Sequence, residues 1–404
     1  MVNNMIANQK KILIYKIELE KNHAFGIFLN NLGDAFCQLG YDVIYADMND
    51  LNQIETAINM LMRNEIFFSV AMNANMLEIY GSDKPIYLYN YVDTCHISLL
   101  QDAPYSVKIG NICIPARNHI VCYLDRSHQQ MMDLLQLATS NSKKLFLPMP
   151  GCINSNRSLE EIIYQEKKYD VVICAGLWNV NPQREWHGKA DKVTSAILDN
   201  IADYMEEYPV NIYTAAQIIF YEMELNIEIM LPLLKKYLWL LLEYIKVYRR
   251  IKSVKFLVSS GIRPDVFGGG WENISYANKL NIHGSITYPK SIEVISQAKV
   301  LFQDQAEFND GAHDRVFTAM LNGTVVVSEY SKYLAEEFED GKDIFLYDWK
   351  NGADRLNMLN NILCNKSMYD NIIISAYNKT NERHRWINRA KQIINEVVKY
   401  NEVK

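Results

Sequence analysis

The segment from Phe308 to Trp349 holds the densest group of residues that could do chemistry. It begins with a loop containing Gly311, passes into a helical pattern with Arg315 in its first turn, and ends that pattern at Gly323. The free N–H groups and positive dipole end of a helix start attract anions, and Arg315 adds a planar bidentate donor for phosphate oxygens. The segment therefore predicts an anion site. The alternative is a surface loop in which Asp314 caps the helix and Arg315 forms a salt bridge.

Two series of alternating strand and helix patterns must position this segment. The first series opens with the strand KILIYKI, a helical pattern over about 24–39 and the strand YDVIYAD, and the second opens with KYDVVICAG at Tyr169. Alternation of this kind predicts an open α/β domain with a parallel sheet in each series. Ligands of such sheets bind outside the carboxyl ends of the strands, so we expect the chemistry at those ends.

The remaining apolar runs are interpreted as further strands of the two series. In the first they are IFFSVAM, PIYLYNYVD and HIVCYLD, and in the second VKFLVSSGI, PDVFGGGW, LNIHGSI, KVLFQDQ, GTVVVSE and DIFLYDW. We therefore predict an N-terminal domain over 1–150 and a C-terminal domain over 165–380, with a helical insertion at about 190–252. A last amphipathic helix over 381–404 is expected to pack back across both domains, and Pro148–Cys152 to act as a hinge.

Composition and charge exclude several classes of protein. The 404 residues carry 49% hydrophobic and 22% charged side chains with a net charge of -6, which is typical of a folded soluble protein. This acidic balance argues against a broad basic face for nucleic acid. Seven cysteines occur without a Cys-x-x-Cys pair or a His cluster at metal-ligand spacing. Neither a disulfide framework nor a metal site is predicted, and we expect a cytoplasmic protein.

The most apolar stretch of the chain is Ile229–Val247. Charged residues interrupt it at Lys235, Lys236, Glu243 and Lys246. A membrane-spanning helix needs ~20 mostly uncharged residues, so no transmembrane segment is predicted. The stretch fits a buried insertion and the interface of a homodimer equally well.

Several motifs in the second half of the chain resemble those of a known family. The run FNDGAHDRVFTAMLNGTVVVSE, together with VFGGGWE and HGSITYPKSIEVISQAKV, is similar to the C-terminal half of bacterial glycosyltransferases of the GT-B fold. The resemblance is to the group that includes the spore-maturation CgeB-type proteins. CAGLWNVNPQR, farther upstream, resembles the first strand of that half. The residues that match the family pattern are Gly176, Gly268, Gly270, Trp271, His283, Gly284, Tyr288, Gly311, His313, Arg315, Phe317, Gly323, Ser328 and Glu329.

The resemblance implies two Rossmann-like domains that face each other across a cleft. It also implies transfer of a sugar from a nucleotide diphosphate, expected to be a uridine nucleotide, to a hydroxyl of a protein or glycan, without metal or other cofactor. Thr318 departs from the pattern, because many relatives carry Glu or Asp at this position to hold the ribose hydroxyls. The donor-binding residues implied are Gly176, Gly270, Trp271, His283, Gly284, Tyr288, Gly311, Ala312, His313, Asp314, Arg315, Thr318 and Glu329.

The transfer reaction itself asks for few groups. Arg315 suits stabilisation of the leaving phosphate, and a His or carboxylate is needed as base for the acceptor proton if the reaction inverts the anomeric carbon. The candidates for this base follow expected N-domain strands: His23, Asp93 and, with less support, His96. His23 and Asp93 could instead serve only as helix N-caps.

Two other functions remain open at this point. One is a nucleotide-sugar epimerase on the same fold, which would need a carboxylate pair near the sugar. The other is a non-catalytic nucleotide-sugar-binding partner of a glycosylation complex, an alternative to which the Thr318 departure gives some weight.

Overall fold

The computed structural model describes residues 11–17, 23–80, 84–106, 112–114, 116–138, 142–305, 308–348, 357, 359 and 361–402. The chain divides into two compact units, which we call unit 1 (Met1–Leu147 with Arg385–Lys404) and unit 2 (Pro148–His384). The strands are β1 (Lys11–Lys16), β2 (Asp42–Asp47), β3 (Phe68–Met72), β4 (Ile79–Tyr80), β5 (Pro85–Ile86), β6 (Cys95–Leu99), β7 (His119–Tyr123), β8 (Lys143–Phe146), β9 (Tyr169–Ile173), β10 (Asp265–Phe267), β11 (Asn281–Gly284), β12 (Ala298–Gln303), β13 (Val325–Glu329) and β14 (Phe345–Tyr347). The helices are α1 (Ala24–Gln38), α2 (Leu51–Met62), α3 (Ser127–Leu134), α4 (Leu159–Tyr164), α5 (Lys192–Glu207), α6 (Ile212–Glu222), α7 (Ile227–Leu234), α8 (Leu238–Ser259), α9 (Tyr288–Ser296), α10 (Asp314–Leu321), α11 (Lys332–Glu337), α12 (Lys366–Arg383) and α13 (Trp386–Glu402).

Unit 1 is built on a parallel sheet with the strand order β2-β1-β3-β6-β7-β8. The inner strand β1 is apolar at consecutive positions, and Ile12–Tyr15 are fully buried because helices and loops cover both faces. The last helix, α13, belongs to this unit. Its Trp386 ring packs 5.4 Å from the Phe28 ring of α1, and the Tyr400 hydroxyl donates to the Arg117 carbonyl at 3.0 Å.

The run PIYLYNYVD, predicted as a strand that ends at Asp93, has a different structure. Only Pro85 and Ile86 are extended, in a two-residue strand, and Leu88–Asn90 form a 3-10 turn. Asp93 lies just before β6, at the amino end of that strand and not at a carboxyl end. The prediction was wrong because tyrosines and branched residues favour strands and buried turns alike, so that a short apolar run does not separate the two.

A row of polar side chains crosses the unit 1 sheet. In register, Ser69 of β3 pairs with His96 of β6, and His96 with His119 of β7. The Ser69 Oγ lies 2.9 Å from His96 Nδ1, and His119 Nε2 and Nδ1 lie 2.8 and 3.0 Å from the hydroxyls of Ser98 and Ser142. Both imidazoles are fully buried. His96, a candidate base in the sequence, is thus a core residue that solvent does not reach.

We expect this row to make unit 1 sensitive to acid. Burial lowers the pKa of His119 to about 3 and that of His96 well below its usual value. An unfolded His titrates near 6.5, so the unfolded chain binds more protons below that pH, and stability falls as the pH falls. At pH 5, His119 alone should lower the free energy of unfolding by about 2 kcal/mol relative to its value at pH 7.5. Hydrogen exchange of β6 and β7, followed at both pH values, checks this.

A matched substitution isolates the buried histidine. His119→Asn should reduce the difference in exchange between pH 7.5 and pH 5, whereas His23→Asn, at an exposed position, should leave it unchanged. Equal acid sensitivity in the His119 variant and the native chain would contradict the assignment.

Unit 2 contains a second parallel sheet, in the order β11-β10-β9-β12-β13-β14. Numbered from β9, this is the 3-2-1-4-5-6 order of nucleotide-binding doubly wound sheets. Buried valines of β9, β12 and β13 form its core with residues of α8 and α12. The α/β class predicted for both halves of the chain is therefore confirmed.

Helices α5 to α8 form the predicted insertion between β9 and β10. The run VKFLVSSGI was expected to be a strand, but Val254–Ser259 complete the 22-residue helix α8. The expectation was wrong because a short apolar run fits a buried helix as well as a strand. Here the run continues the preceding helix, which supplies its backbone hydrogen bonds. Among the described residues, no helix is both long and apolar enough to span a membrane.

Candidate functional site

The strand order of unit 2 defines where a ligand should bind. The order reverses between β9 and β12, and sheets of this kind bind ligands outside the carboxyl ends of the strands at that point. Gly176 follows β9, and Asp304 follows β12. We call this reversal of strand order the switch point. The candidate site therefore lies between Gly176 and Asp304, one on each side of the switch point.

Arg250 of α8 joins the two strand ends. Its Nη1 donates to the Gly176 carbonyl at 2.8 Å, and its Nη2 lies 3.2 Å from Asp304 Oδ2. The side chain is 12% exposed, so the guanidinium is fixed yet still reached by solvent. The helical insertion thus delivers a cation to the carboxyl ends of the sheet.

The start of α10 supplies the second cation of the site. The Nη2 of Arg315 donates to Nε2 of His313 at 2.8 Å, and His313 Nδ1 lies 2.6 Å from Asp314 Oδ1. A guanidinium can only donate, so His313 Nε2 accepts this hydrogen bond and the imidazole is neutral. The Tyr288 hydroxyl donates to Asp314 Oδ2. Asp314 is therefore satisfied by neighbours other than Arg315.

The charges in the site act on one another. Burial would raise the pKa of Asp304, but the Arg250 and Arg315 charges outweigh it and hold that pKa below its usual range. Burial and the Arg315 charge lower the pKa of His313, which keeps the imidazole neutral at pH 7. Burial and the charge of Arg250 also lower the pKa of Arg315. An anion placed between the two guanidinium groups would relieve their repulsion.

Among the described residues, the Arg315 guanidinium donates hydrogen bonds only to His313. A guanidinium has five N–H donors, and a neutral imidazole uses few of them and balances none of the charge. Arg315 also lies in the first turn of α10, where free backbone N–H groups and the helix dipole favour negative charge. The arrangement can bind a phosphate or diphosphate.

Glycines bring the loops after β9 and β10 into close contact. A Cβ at Gly268 would lie 2.2 Å from the Ala175 carbonyl oxygen, and one at Gly270 would lie 1.7 Å from that of Leu177. Gly270 also has φ +91°, which disfavours any residue with a side chain. The Leu177 N–H donates to the Gly269 carbonyl at 2.8 Å. These contacts fix the backbone on one side of the candidate site.

We expect Gly270→Ala to disrupt this side of the site. The new methyl group would overlap the Leu177 carbonyl and force the two loops apart, in addition to backbone strain of about 1–3 kcal/mol. Gly188→Ala is the control, because Gly188 has a similar φ of +81° but open space around its Cβ. Denaturant unfolding should show the larger loss for Gly270→Ala. Equal losses would mean that backbone strain alone matters and that the loop contact does not.

Three predicted donor-binding residues have buried side chains that form hydrogen bonds with the backbone around the site. Trp271 is fully buried and donates from Nε1 to the Ala175 carbonyl at 2.7 Å. Thr318 is 1% exposed, and its hydroxyl accepts from the Cys152 N–H at 3.0 Å. Glu329 is fully buried and accepts from the Gln305 N–H at 2.8 Å. We correct the sequence interpretation of these three side chains, because burial prevents them from touching a ligand in this structure.

The other predicted donor residues lie around the carboxyl ends of the unit 2 strands. His283 of β11 stacks on Phe267, with ring centroids 4.3 Å apart, and pairs with Asp265 at 2.7 Å. Gly284 ends β11 with φ +74°. Gly311 accepts from the Ser331 hydroxyl at 2.6 Å. Ala312, which is 1% exposed, leads into His313.

The acceptor-side candidates belong to unit 1. His23 lies beyond the carboxyl end of β1, exposed, as the N-cap of α1, and its Nδ1 accepts from the Phe25 N–H at 3.4 Å. Asp93 has a 78% exposed side chain and lies 3.9 Å from Arg117 at the amino end of β6. We therefore withdraw Asp93, and with it the buried His96, as candidate bases. Within the described part of the chain, no three His, Cys, Asp or Glu side chains could hold a metal ion together.

Sequence reasoning missed Arg250 and Asp304. Arg250 is one of several cations on α8, whose pattern alone does not distinguish a site residue from a solvated one. Asp304 was part of the strand KVLFQDQ, and a polar residue directly after an apolar strand was the available signal.

Comparisons with known proteins bear on this arrangement. Residues 249–395 match a family model described as glycosyl transferase-like. The matched segment includes Arg250, Asp304, His313 and Arg315, so the family match falls on the residues that converge at the switch point. It supports a glycosyltransferase. No curated protein matches the chain.

Solved structures resemble the whole chain in fold. AviGT4, a glycosyltransferase involved in avilamycin A biosynthesis, is 11% identical, and the match covers 98% of each chain with a TM-score of 0.51. A glycosyltransferase from Rickettsia africae ESF-5 is 8% identical over 97% of this chain and 99% of its own, with a TM-score of 0.51. Sucrose-phosphate synthase from Thermosynechococcus elongatus is 8% identical over 98% and 100%, with a TM-score of 0.50. At such identities the similarity establishes the fold, which is the GT-B type predicted from the sequence.

Proposed function

We propose that this protein transfers a sugar from a nucleotide diphosphate donor to an acceptor hydroxyl and that unit 2 binds the donor. The observation that carries the proposal is the convergence of Arg250 and Arg315 at the switch point of the unit 2 sheet. Two guanidinium groups and a helix start match the charge and the hydrogen-bond acceptors of a diphosphate. The family match over the same residues supports sugar transfer as the use of that diphosphate.

The chemistry follows from where charge develops. As the bond between sugar and phosphate breaks, negative charge grows on the departing diphosphate, and donors already fixed around it lower the barrier. Arg250 is fixed by Gly176 and Asp304, and Arg315 by His313. Their positive charge supports a transfer that does not depend on a metal ion.

The proposal also covers the donor, the acceptor and the catalytic base. We propose a uridine nucleotide sugar as donor and a protein or glycan hydroxyl as acceptor, on the resemblance to the CgeB-type group. His23 is the remaining candidate for the base. Its support is its position beyond the carboxyl end of β1, where the order of the unit 1 sheet reverses between β1 and β3.

A second candidate function has one observation in its favour. Thr318 has no carboxylate, and its buried hydroxyl already accepts a hydrogen bond from the Cys152 N–H. This position therefore offers no group that would bind ribose hydroxyls. A protein that binds a nucleotide sugar without turning it over would fit this feature. Such a protein would bind the donor as proposed but release no nucleotide from it.

A thermal-shift screen against several nucleotide sugars tests the proposal. A ligand that binds the native state raises the melting temperature, by an amount that grows with concentration. We expect at least one nucleotide sugar to raise it in the native chain and to have a much smaller effect in Arg315→Ala. If no nucleotide sugar shifts the transition at millimolar concentration, donor binding by this protein is wrong.

A further inference from the structure

Trp178 is an exposed tryptophan beside the cationic site. It follows Gly176 and Leu177 at the carboxyl end of β9 and is 55% exposed. By contrast, Trp186 and Trp271 of the same unit are fully buried. Aromatic side chains bury about 150–250 Å² each, and Trp178 leaves roughly half of its surface in water at a strand end, which is where ligands of such sheets bind.

The backbone just before Trp178 is held by contacts with the loop after β10. Leu177 N–H bonds to the Gly269 carbonyl, the Trp271 indole bonds to the Ala175 carbonyl, and Gly270 permits the close approach of the two loops. The indole therefore follows directly on an anchored stretch of backbone. Preorganised groups of this kind bind ligands with less loss of entropy than mobile ones.

One side of the indole lies against the site already described. The Arg250 guanidinium lies 5.4 Å from the centre of the Trp178 ring while it bonds to the Gly176 carbonyl and to Asp304. A ligand whose phosphates bind Arg250 would therefore have the indole within reach of its neighbouring groups. Aromatic rings beside cationic groups bind ligands that carry an anionic part and a flat or apolar ring.

We infer that Trp178 is the platform on which a ring of the donor stacks, next to the diphosphate held by Arg250 and Arg315. The inference rests on the proposed donor site and adds the residue that distinguishes a nucleotide sugar from a bare diphosphate. The shared chemistry is a ring joined to a diphosphate, and that ring is either the base or the sugar.

Three probes and two variants test the platform. Affinities for inorganic pyrophosphate, UDP and UDP-glucose are measured by calorimetry for the native chain, Trp178→Ala and Trp178→Phe. We expect Trp178→Ala to weaken a ring-bearing probe by about tenfold, as base–aromatic stacking would, and to leave pyrophosphate binding unchanged. Trp178→Phe should keep most of the affinity. Loss for UDP would identify the base as the ring, and loss for UDP-glucose alone would identify the sugar.

Fluorescence gives a second readout. The ring-bearing probe should quench tryptophan emission in the native chain, and Trp178→Phe should remove that quenching. Tyr221→Ala, at an 86% exposed aromatic on α6, is the control and should bind all probes like the native chain.

The outcomes separate this inference from the proposed function. If Trp178→Ala binds all three probes like the native chain, the platform is wrong while the donor site stands. An equal loss for pyrophosphate would also overturn it, because Trp178 would then act only by holding Arg250. If none of the three probes binds the native chain, the proposed uridine diphosphate site fails and the platform fails with it.

Discussion

Arg315→Ala should weaken binding of UDP by about 10-fold to 100-fold, the largest effect on affinity that the site predicts. Hydrogen bonds to charged groups contribute about 1.5–3 kcal/mol, and each 1.4 kcal/mol is tenfold in affinity. The Arg315 side chain bonds only to His313 among the described residues, so most of its donors remain for a ligand. Calorimetric titration of native and variant chains measures the difference.

Two further variants distinguish the guanidinium from its charge. Arg315→Lys keeps the charge but loses the bidentate fork, so its affinity should fall between those of the native and Ala chains. Lys342→Ala removes an equal charge from a side chain that is 59% exposed and pairs with Glu339, and it should bind UDP like the native chain. If Arg315→Ala binds UDP as tightly as the native chain does, Arg315 is not a phosphate ligand.

Arg249→Ala should destabilise unit 2 by about 3–5 kcal/mol, the cost of breaking one partner from a buried ion pair. Arg249 is fully buried and donates to the carbonyls of Met205, Tyr208 and Val210 and to Asn309 Oδ1. Its Nη1 also lies 3.7 Å from Glu329 Oε1. Its loss would leave several buried carbonyl acceptors without a donor and would remove the positive charge that faces the Glu329 carboxylate. Urea unfolding measures the loss in free energy.

The next residue on the same helix provides the control. Arg250→Ala should lower the free energy of unfolding by less than Arg249→Ala does, because Arg250 is 12% exposed and bonds to one carbonyl and one carboxylate, yet it should weaken UDP binding. Burial raises the pKa of Glu329 and Arg249 opposes it, so Glu329→Gln combined with Arg249→Met should recover part of the loss. A native-like free energy of unfolding for Arg249→Ala would show that the buried pair contributes little.

The sequence was most informative where the signal is local. The start of α10 could be read from a glycine loop, an N-terminal Arg and a glycine stop, all within one short segment. The parallel sheets could be read in the same way, because strand and helix patterns alternate along the chain. Each of these features depends on residues that are close in sequence.

What the sequence could not show depends on distant residues meeting. Arg250 and Gly176 are 74 positions apart, and only the completed sheet and the packed helix α8 place the guanidinium on that carbonyl. The family resemblance implied Trp271 as a donor contact, but the glycines before it bring two loops together and the indole is fully buried. Asp93 was misplaced because a buried turn was taken for a strand.

The central claim is that this protein turns over a nucleotide sugar at the site formed by Arg250 and Arg315. Release of nucleotide from a panel of nucleotide sugars, with water or a supplied hydroxyl compound as acceptor, measures it most directly by chromatography. We expect the native chain to release nucleotide from at least one donor, and the Arg250→Ala, Arg315→Ala double variant to release at least about a hundredfold less while remaining folded. Undiminished release by the double variant, or no release by the native chain from any donor that binds, would contradict the claim.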